Sequence, residues 1–127
     1  MPWIEIEGFT YTYPGAEVPV LEEIDLTIAM GAFVVLTGRS GSGKSTLGKA
    51  LAGFLFEDED PQFSGKITVN GTDMTLVPLF KASNRVGYVQ QNPEDQFCTL
   101  TVQDEIAFGL ENACLPPLEI AERIDHV

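Results

Sequence analysis

Gly38-Arg39-Ser40-Gly41-Ser42-Gly43-Lys44-Ser45 is the stretch that decides the reading of this 127-residue chain. It matches G-x-x-x-x-G-K-[ST], the phosphate-binding P-loop. The spacing has a physical reason. A phosphate chain is a compact, well-hydrated polyanion, so a protein must meet it with many preorganised donors in a concave shape. Glycines let the backbone curl until successive N–H groups point inward. A helix starting near Lys44 adds its unpaired N–H groups and the positive end of its dipole at the same spot. In this arrangement Lys44 reaches the β- and γ-phosphates and the Ser45 hydroxyl ligates Mg²⁺. Thr46 adds a hydroxyl near the α-phosphate.

The flanks suit the motif. Residues 32–37, Ala-Phe-Val-Val-Leu-Thr, are short, continuous and apolar, the pattern of a strand buried on both faces. Behind the loop, Leu47, Ala50, Leu51 and Phe54 recur at i, i+3, i+4 and i+7 and predict a helix with one apolar face. Arg39, Lys44 and Lys49 are three of only 7 basic residues. They place a local positive field where an anion would sit, in a chain whose formal charge is −12.

Further out, Ile4 and Ile6 alternate with Glu5 and Glu7 in a half-exposed strand running to about Tyr11, ended by Tyr13-Pro14-Gly15. Leu21, Ile24, Leu26 and Ile28 form a second strand-like stretch, interrupted by Met30-Gly31. Glu57 to Pro61 end the first helix in a solvated acidic loop. Residues 65–69 read as a strand followed by Asn70-Gly71, a strong two-residue hairpin turn. Residues 86–90 read as another short strand, and 91–100 as a polar loop. Thr101 is placed to cap a helix, with Asp104 at the capping-box position. Val102, Ile106, Leu110 and Ala113 form that helix's apolar face. Pro116-Pro117 break it, and Ile120, Ile124 and Val127 open a third helix. With no stop signal after Val127, the chain reads as cut within a helix.

Composition removes several classes. Hydrophobic residues make up 44% and charged residues 20%, which is ordinary for a globular chain and not for a disordered one. A chain of this length can bury about two-thirds of its extended surface. The longest apolar run, residues 32–36, is too short to span a bilayer. The start, MPWIEIEG, lacks the basic and apolar regions of a secretory signal. An excess of 19 acidic over 7 basic residues argues against a nucleic-acid binder. Cys98 and Cys114, with no C-x-x-C, make no zinc site. They read as reduced thiols, with a redox pair as the alternative.

A P-loop alone does not name a reaction. Neither N-K-x-D nor D-x-x-G occurs, which sets GTPases aside. Nucleotide kinases usually carry the loop nearer the N-terminus. At this point the chain resembles the ATP-binding subunit of ABC transporters. Residues 9–15, Phe-Thr-Tyr-Thr-Tyr-Pro-Gly, look like that family's A-loop, whose aromatic residue stacks on adenine. Tyr13 is the candidate and Tyr11 the reserve. Residues 87–93, Gly-Tyr-Val-Gln-Gln-Asn-Pro, are similar to the family's Q-loop. Gln91 fits the glutamine that touches Mg²⁺ or its water and links nucleotide to membrane partner, with Gln90 as the alternative.

Asn92 to Phe97 and Thr101 to Asn112 look like the energy-coupling-factor subfamily, whose ATPases drive uptake of vitamins or of cobalt and nickel. Gln96 matches that subfamily's extra glutamine.

The resemblance implies an α/β fold: a P-loop core (32–56 and 84–91) with an antiparallel β subdomain (mainly 1–31 and 65–82). The Q-loop would occupy 90–100, and 101–127 would begin a helical subdomain. It implies ATP and Mg²⁺ as ligands, a second ATP-binding subunit forming a homo- or heterodimer, transmembrane subunits, and a place on the cytoplasmic face of the membrane. It covers about half of a family domain. No L-S-G-G-Q signature, no apolar run ending in Asp-Glu and no switch histidine occur in these residues; His126 lies too early. Negligible hydrolysis by this stretch alone is therefore expected, as is self-association through an open sheet edge. A small P-loop kinase and a nucleotide-gated interaction module remain the alternative readings.

Overall fold

The computed structural model describes residues 2–127. It divides into two units, residues 1–88 and 89–127. The first is built on an antiparallel sheet of four strands: β1 (Pro2–Thr12), β2 (Leu21–Ala29), β3 (Gln62–Val69) and β4 (Thr72–Asp73), in the order β2-β1-β3-β4. β1 is central. Ile6 pairs with Leu26 on one side and with Ile67 on the other. Irregularities follow Ile6 and Glu7, where Gly8 takes a left-handed φ of 53°. Gly65 of β3 (φ 82°) lies so close that a Cβ there would stand 2.4 Å from the Gly8 carbonyl oxygen. Only glycine fits that approach.

Asn70 (φ 46°) and Gly71 (φ 74°) are both left-handed. They form the tight turn that the Asn-Gly pair predicts between β3 and β4.

α1 (Lys44–Leu51) packs with the sheet, and α2 (Leu79–Ala82) follows β4. Ile6, Phe9, Tyr11, Leu21, Leu47, Ala50, Leu55, Ile67, Val69, Met74 and Ala82 form the core. Phe9, Phe56 and Phe63 meet as three rings with centroids 4.9–6.2 Å apart. Phe54, expected on the helix face, lies beyond the helix end and is 43% exposed. The acidic loop is not wholly free in solvent. Glu57 Oε1 accepts the Leu79 N–H at 2.7 Å, supplying the first turn of α2 with an acceptor that its Pro78 N-cap lacks.

Two expected strands are absent among the described residues. Residues 32–37 carry no strand, and Phe33 is 93% and Val35 69% exposed. Residues 86–90 are likewise irregular. Both were read from apolar content. A strand exists only where a neighbouring backbone takes up its N–H and C=O groups, and a buried one needs cover on both faces. Neither segment joins the four-stranded sheet or forms a strand ladder with another described residue.

The second unit holds a 3₁₀ turn at Pro93–Gln96 and two helices, α3 (Val102–Asn112) and α4 (Pro117–Asp125). Thr101 caps α3 as its sequence predicts. Its Oγ1 accepts the Asp104 N–H at 3.1 Å and donates to Asp104 Oδ2 at 2.7 Å. Pro117 does not merely end the preceding helix. It opens α4 at a first-turn position, where its missing N–H costs nothing. Ile106, Leu110, Ile120 and Ile124 are half-buried, whereas Val102 and Ala113 on the expected face are exposed.

Candidate functional site

Residues 38–43 leave the apolar run 32–37 as a loop and feed directly into α1. The turn depends on Gly41 (φ 80°) and Gly43 (φ 97°), both left-handed. Ser42 N–H donates to the Arg39 carbonyl at 3.2 Å and closes the curl. Gly43 is the N-cap of α1 and offers no side chain to the first-turn N–H groups. A helix start without a side-chain cap leaves those donors for an anion. Around Gly41 a Cβ would meet nothing within 4 Å, so this part of the loop is open to a ligand.

Lys44 folds its ammonium into the loop. Its Nζ donates to the carbonyls of Gly38 and Arg39, each at 2.8 Å, and lies 3.3 Å from Ser42 Oγ. The cation is thus held against the backbone of the loop. Ser45 is exposed on the first turn, and its hydroxyl is the kind of hard oxygen that Mg²⁺ takes. Ser40, Arg39 and Lys49 are exposed. The donors and open space therefore fit a phosphate chain with Mg²⁺.

The structure brings Tyr13 to this site across 33 residues: its hydroxyl lies 3.0 Å from Thr46 Oγ1. Tyr13 is 38% exposed, whereas Tyr11 is 1% exposed in the core. Burial pushes the Tyr11 phenol pKa up, with Tyr13 and Asp58 adding to the effect. The two rings meet edge to face, centroids 5.1 Å apart. Of the pair, only Tyr13 has ring surface to offer a base.

Gln91, Gln90 and Gln96 fall in the second unit. Gln91 is exposed, and the Gln90 N–H donates to Gln96 Oε1 at 3.2 Å. Sequence reasoning missed the second anchor of that loop, Glu105. Its Oε2 accepts the N–H groups of Cys98 (3.0 Å) and Thr99 (2.9 Å) and the Thr99 hydroxyl (2.8 Å). Those bonds, the Thr99 hydroxyl first, hold its carboxyl pKa down against partial desolvation. The signal was faint: a carboxylate in the first turn of a helix, where an acid is favoured anyway. Cys98 and Cys114 are exposed free thiols. No cluster of three metal-ligating side chains occurs among the described residues.

The family model described as ABC transporter matches residues 21–127. This chain belongs to the ABC transporter family. A putative ABC transporter ATP-binding protein of Methanosarcina acetivorans is 45% identical over 123 residues, which are 97% of this chain and 19% of that protein. An energy-coupling factor transporter ATP-binding protein, EcfA, of the same organism is 43% identical, over 97% of this chain and 43% of its own length. Among solved structures, cbiO1 of Clostridium perfringens, part of the ABC transporter complex cbiONQ, aligns with a TM-score of 0.78 at 28% identity. That alignment covers 98% of this chain and 48% of cbiO1. The fold is thus that of the ABC ATPase, a P-loop α/β architecture with an antiparallel sheet. This ABC chain spans less than half the length of each of these relatives. No helix among its described residues is long and apolar enough to cross a membrane.

Proposed function

We propose that this chain is the phosphate-gripping part of an ATPase that powers a membrane importer of energy-coupling-factor type, for a small solute such as a vitamin or metal ion. One observation carries the reading: Lys44 is tied into a glycine-curled loop at an uncapped helix start, with Tyr13 anchored beside it on Thr46. Residues 38–46 bind the triphosphate of ATP, and Tyr13 stacks on adenine, an interaction of about 1–3 kcal/mol. Ser45 and Gln91 are the candidates for Mg²⁺, which neutralises phosphate charge when bound.

Residues 1–31 and 65–82 serve as the β subdomain, 32–56 and 84–91 as the P-loop core, and 101–127 as the start of a helical subdomain. Gln91 in its loop passes closure of an ATP-bound dimer to transmembrane subunits on the cytoplasmic face. The names of EcfA and of the cbiONQ complex support the subfamily and the membrane partners. A second ATP-binding subunit supplies the facing half of the site. Without an L-S-G-G-Q segment or a Walker B acid, these residues bind but do not hydrolyse. Calorimetry of Mg-ATP, with Lys44→Ala and with GTP as competitor, tests the reading. Lys44-dependent binding with a modest preference for ATP supports it, and equal binding by the variant overturns it.

A further inference from the structure

We infer that Tyr13 is a positioning residue whose hydroxyl, bonded to Thr46, joins the base-stacking ring to the phosphate loop so that the two halves of a nucleotide are gripped as a unit. This rests on the nucleotide reading above. It goes beyond stacking, which any aromatic ring provides.

The loop between β1 and β2, residues 13–20, is clamped to the start of α1 at two separate points. One is the 3.0 Å contact of Tyr13 with Thr46. The other is Gly43, where a Cβ would come within 2.9 Å of the Val20 carbonyl oxygen and 3.0 Å of Leu21 Cδ2. The loop is itself tied down at both ends. Ala16 N–H donates to the Tyr13 carbonyl at 3.0 Å, and Val20 N–H donates to the Tyr11 carbonyl at 2.8 Å. The edge-to-face contact with the buried Tyr11 ring fixes the tilt of Tyr13. The ring is therefore indexed to the helix that holds the phosphates, and not to a mobile turn.

Thr46 is a buried polar side chain, 6% exposed. Its hydroxyl meets that of Tyr13 across the fold. Either oxygen can donate in that pair. A phosphate oxygen can only accept, so a phosphate that engages Thr46 takes the threonine's proton as a hydrogen bond. Tyr13 must then donate to Thr46 Oγ1. Binding of phosphate thus sets the direction of the Tyr13–Thr46 bond, and successive hydrogen bonds of one direction polarise one another. A phenylalanine at position 13 keeps the ring and removes this link.

The test compares ATP with inorganic tripolyphosphate, which has no base, by calorimetry in the presence of Mg²⁺. The expected result is that Tyr13→Phe lowers the ratio of ATP to tripolyphosphate affinity by about two- to tenfold, the size of one net hydrogen bond. Thr46→Val lowers ATP affinity, and adding Tyr13→Phe to it costs little more, because both changes break the same link. Thr46→Ser, which keeps the hydroxyl, retains the ratio. An unchanged ratio in Tyr13→Phe, or strictly additive losses in the double variant, overturns the positioning role while leaving the nucleotide reading intact. If the unmutated chain binds neither ligand, or Lys44→Ala binds both as well as it does, both readings fall. Circular dichroism screens each variant for folding, and Tyr13→Phe alone decides if the Thr46 variants misfold.

Discussion

The ammonium nitrogen of Lys44 stands 2.8 Å from the carbonyl oxygen of Gly38, six residues earlier, and so closes the phosphate loop onto its own helix. The same nitrogen holds the Arg39 carbonyl at 2.8 Å. Lys44 therefore both shapes the cradle and supplies its charge. Lys44→Ala removes a charge-assisted bond to phosphate of about 1.5–3 kcal/mol, so Mg-ATP binding falls about ten- to more than a hundredfold in calorimetry. Lys44→Arg fares poorly too, because a planar fork cannot converge on two adjacent carbonyls as a compact ammonium does.

Gly65 cannot be replaced. Its φ of 82° disfavours any side chain, and a Cβ would lie 2.4 Å from the Gly8 oxygen and 2.5 Å from the Glu7 oxygen. Both obstacles are backbone and cannot rotate away. Gly65→Ala is expected to destabilise the first unit by at least about 1–3 kcal/mol, read as a lower urea midpoint. Gly71→Ala, at a similar φ of 74° but with nothing within 4 Å, costs less.

Phe9 is fully buried among Phe56 and Phe63. Phe9→Ala leaves a cavity at the heart of the sheet and costs about 3–5 kcal/mol. Against a typical stability of about 5–15 kcal/mol, that is enough to populate unfolded chain. The readout is loss of the folded baseline in thermal unfolding.

Acid loosens the loop before α3. Glu105 has its pKa held below the ordinary 4.5 by hydrogen bonds to its charged form. A depressed carboxyl pKa contributes stability that is fully present above the unfolded value and lost as pH falls through the folded one. The Cys98 and Thr99 amides are therefore expected to be protected from hydrogen exchange near neutral pH and to lose that protection below the ordinary Glu range. Glu105→Gln should abolish this pH dependence. Protection unchanged in acid would show that Glu105 does not hold the loop.

Residues 32–36 present Phe33, Val34, Val35 and Leu36 at 93%, 53%, 69% and 53% exposure. An unpaired β-prone run of this kind is a template for intermolecular pairing. Light scattering is expected to show concentration-dependent association, reduced by Val35→Lys. A clean monomer at high concentration would count against it.

How much was legible follows from the range of the forces involved. The phosphate loop, the Asn70-Gly71 turn and the Thr101 cap were readable because each depends on backbone preferences within a few residues. Gly41 and Gly43 adopt left-handed angles that few other residues tolerate, and the Thr101 hydroxyl finds the N–H it caps three residues on, wherever the helix lies. The strand at 32–37 was misread because apolar, β-branched content records a wish for cover, not the presence of it. Glu105 escaped notice because its partners, Cys98 and Thr99, have no pattern that marks them.

The sequence by itself determined the family and the local shape of the loop, since Gly38 to Thr46 carries its own geometry. Only the tertiary structure decided which tyrosine faces that loop. Tyr11 and Tyr13 are two residues apart and equally aromatic. β1 ends at Thr12, so Tyr11 stays in the sheet and is buried in the core, while Tyr13 stands in the turn beyond it, against Thr46. That choice depends on strands and a helix distant in sequence, whose packing no local pattern records.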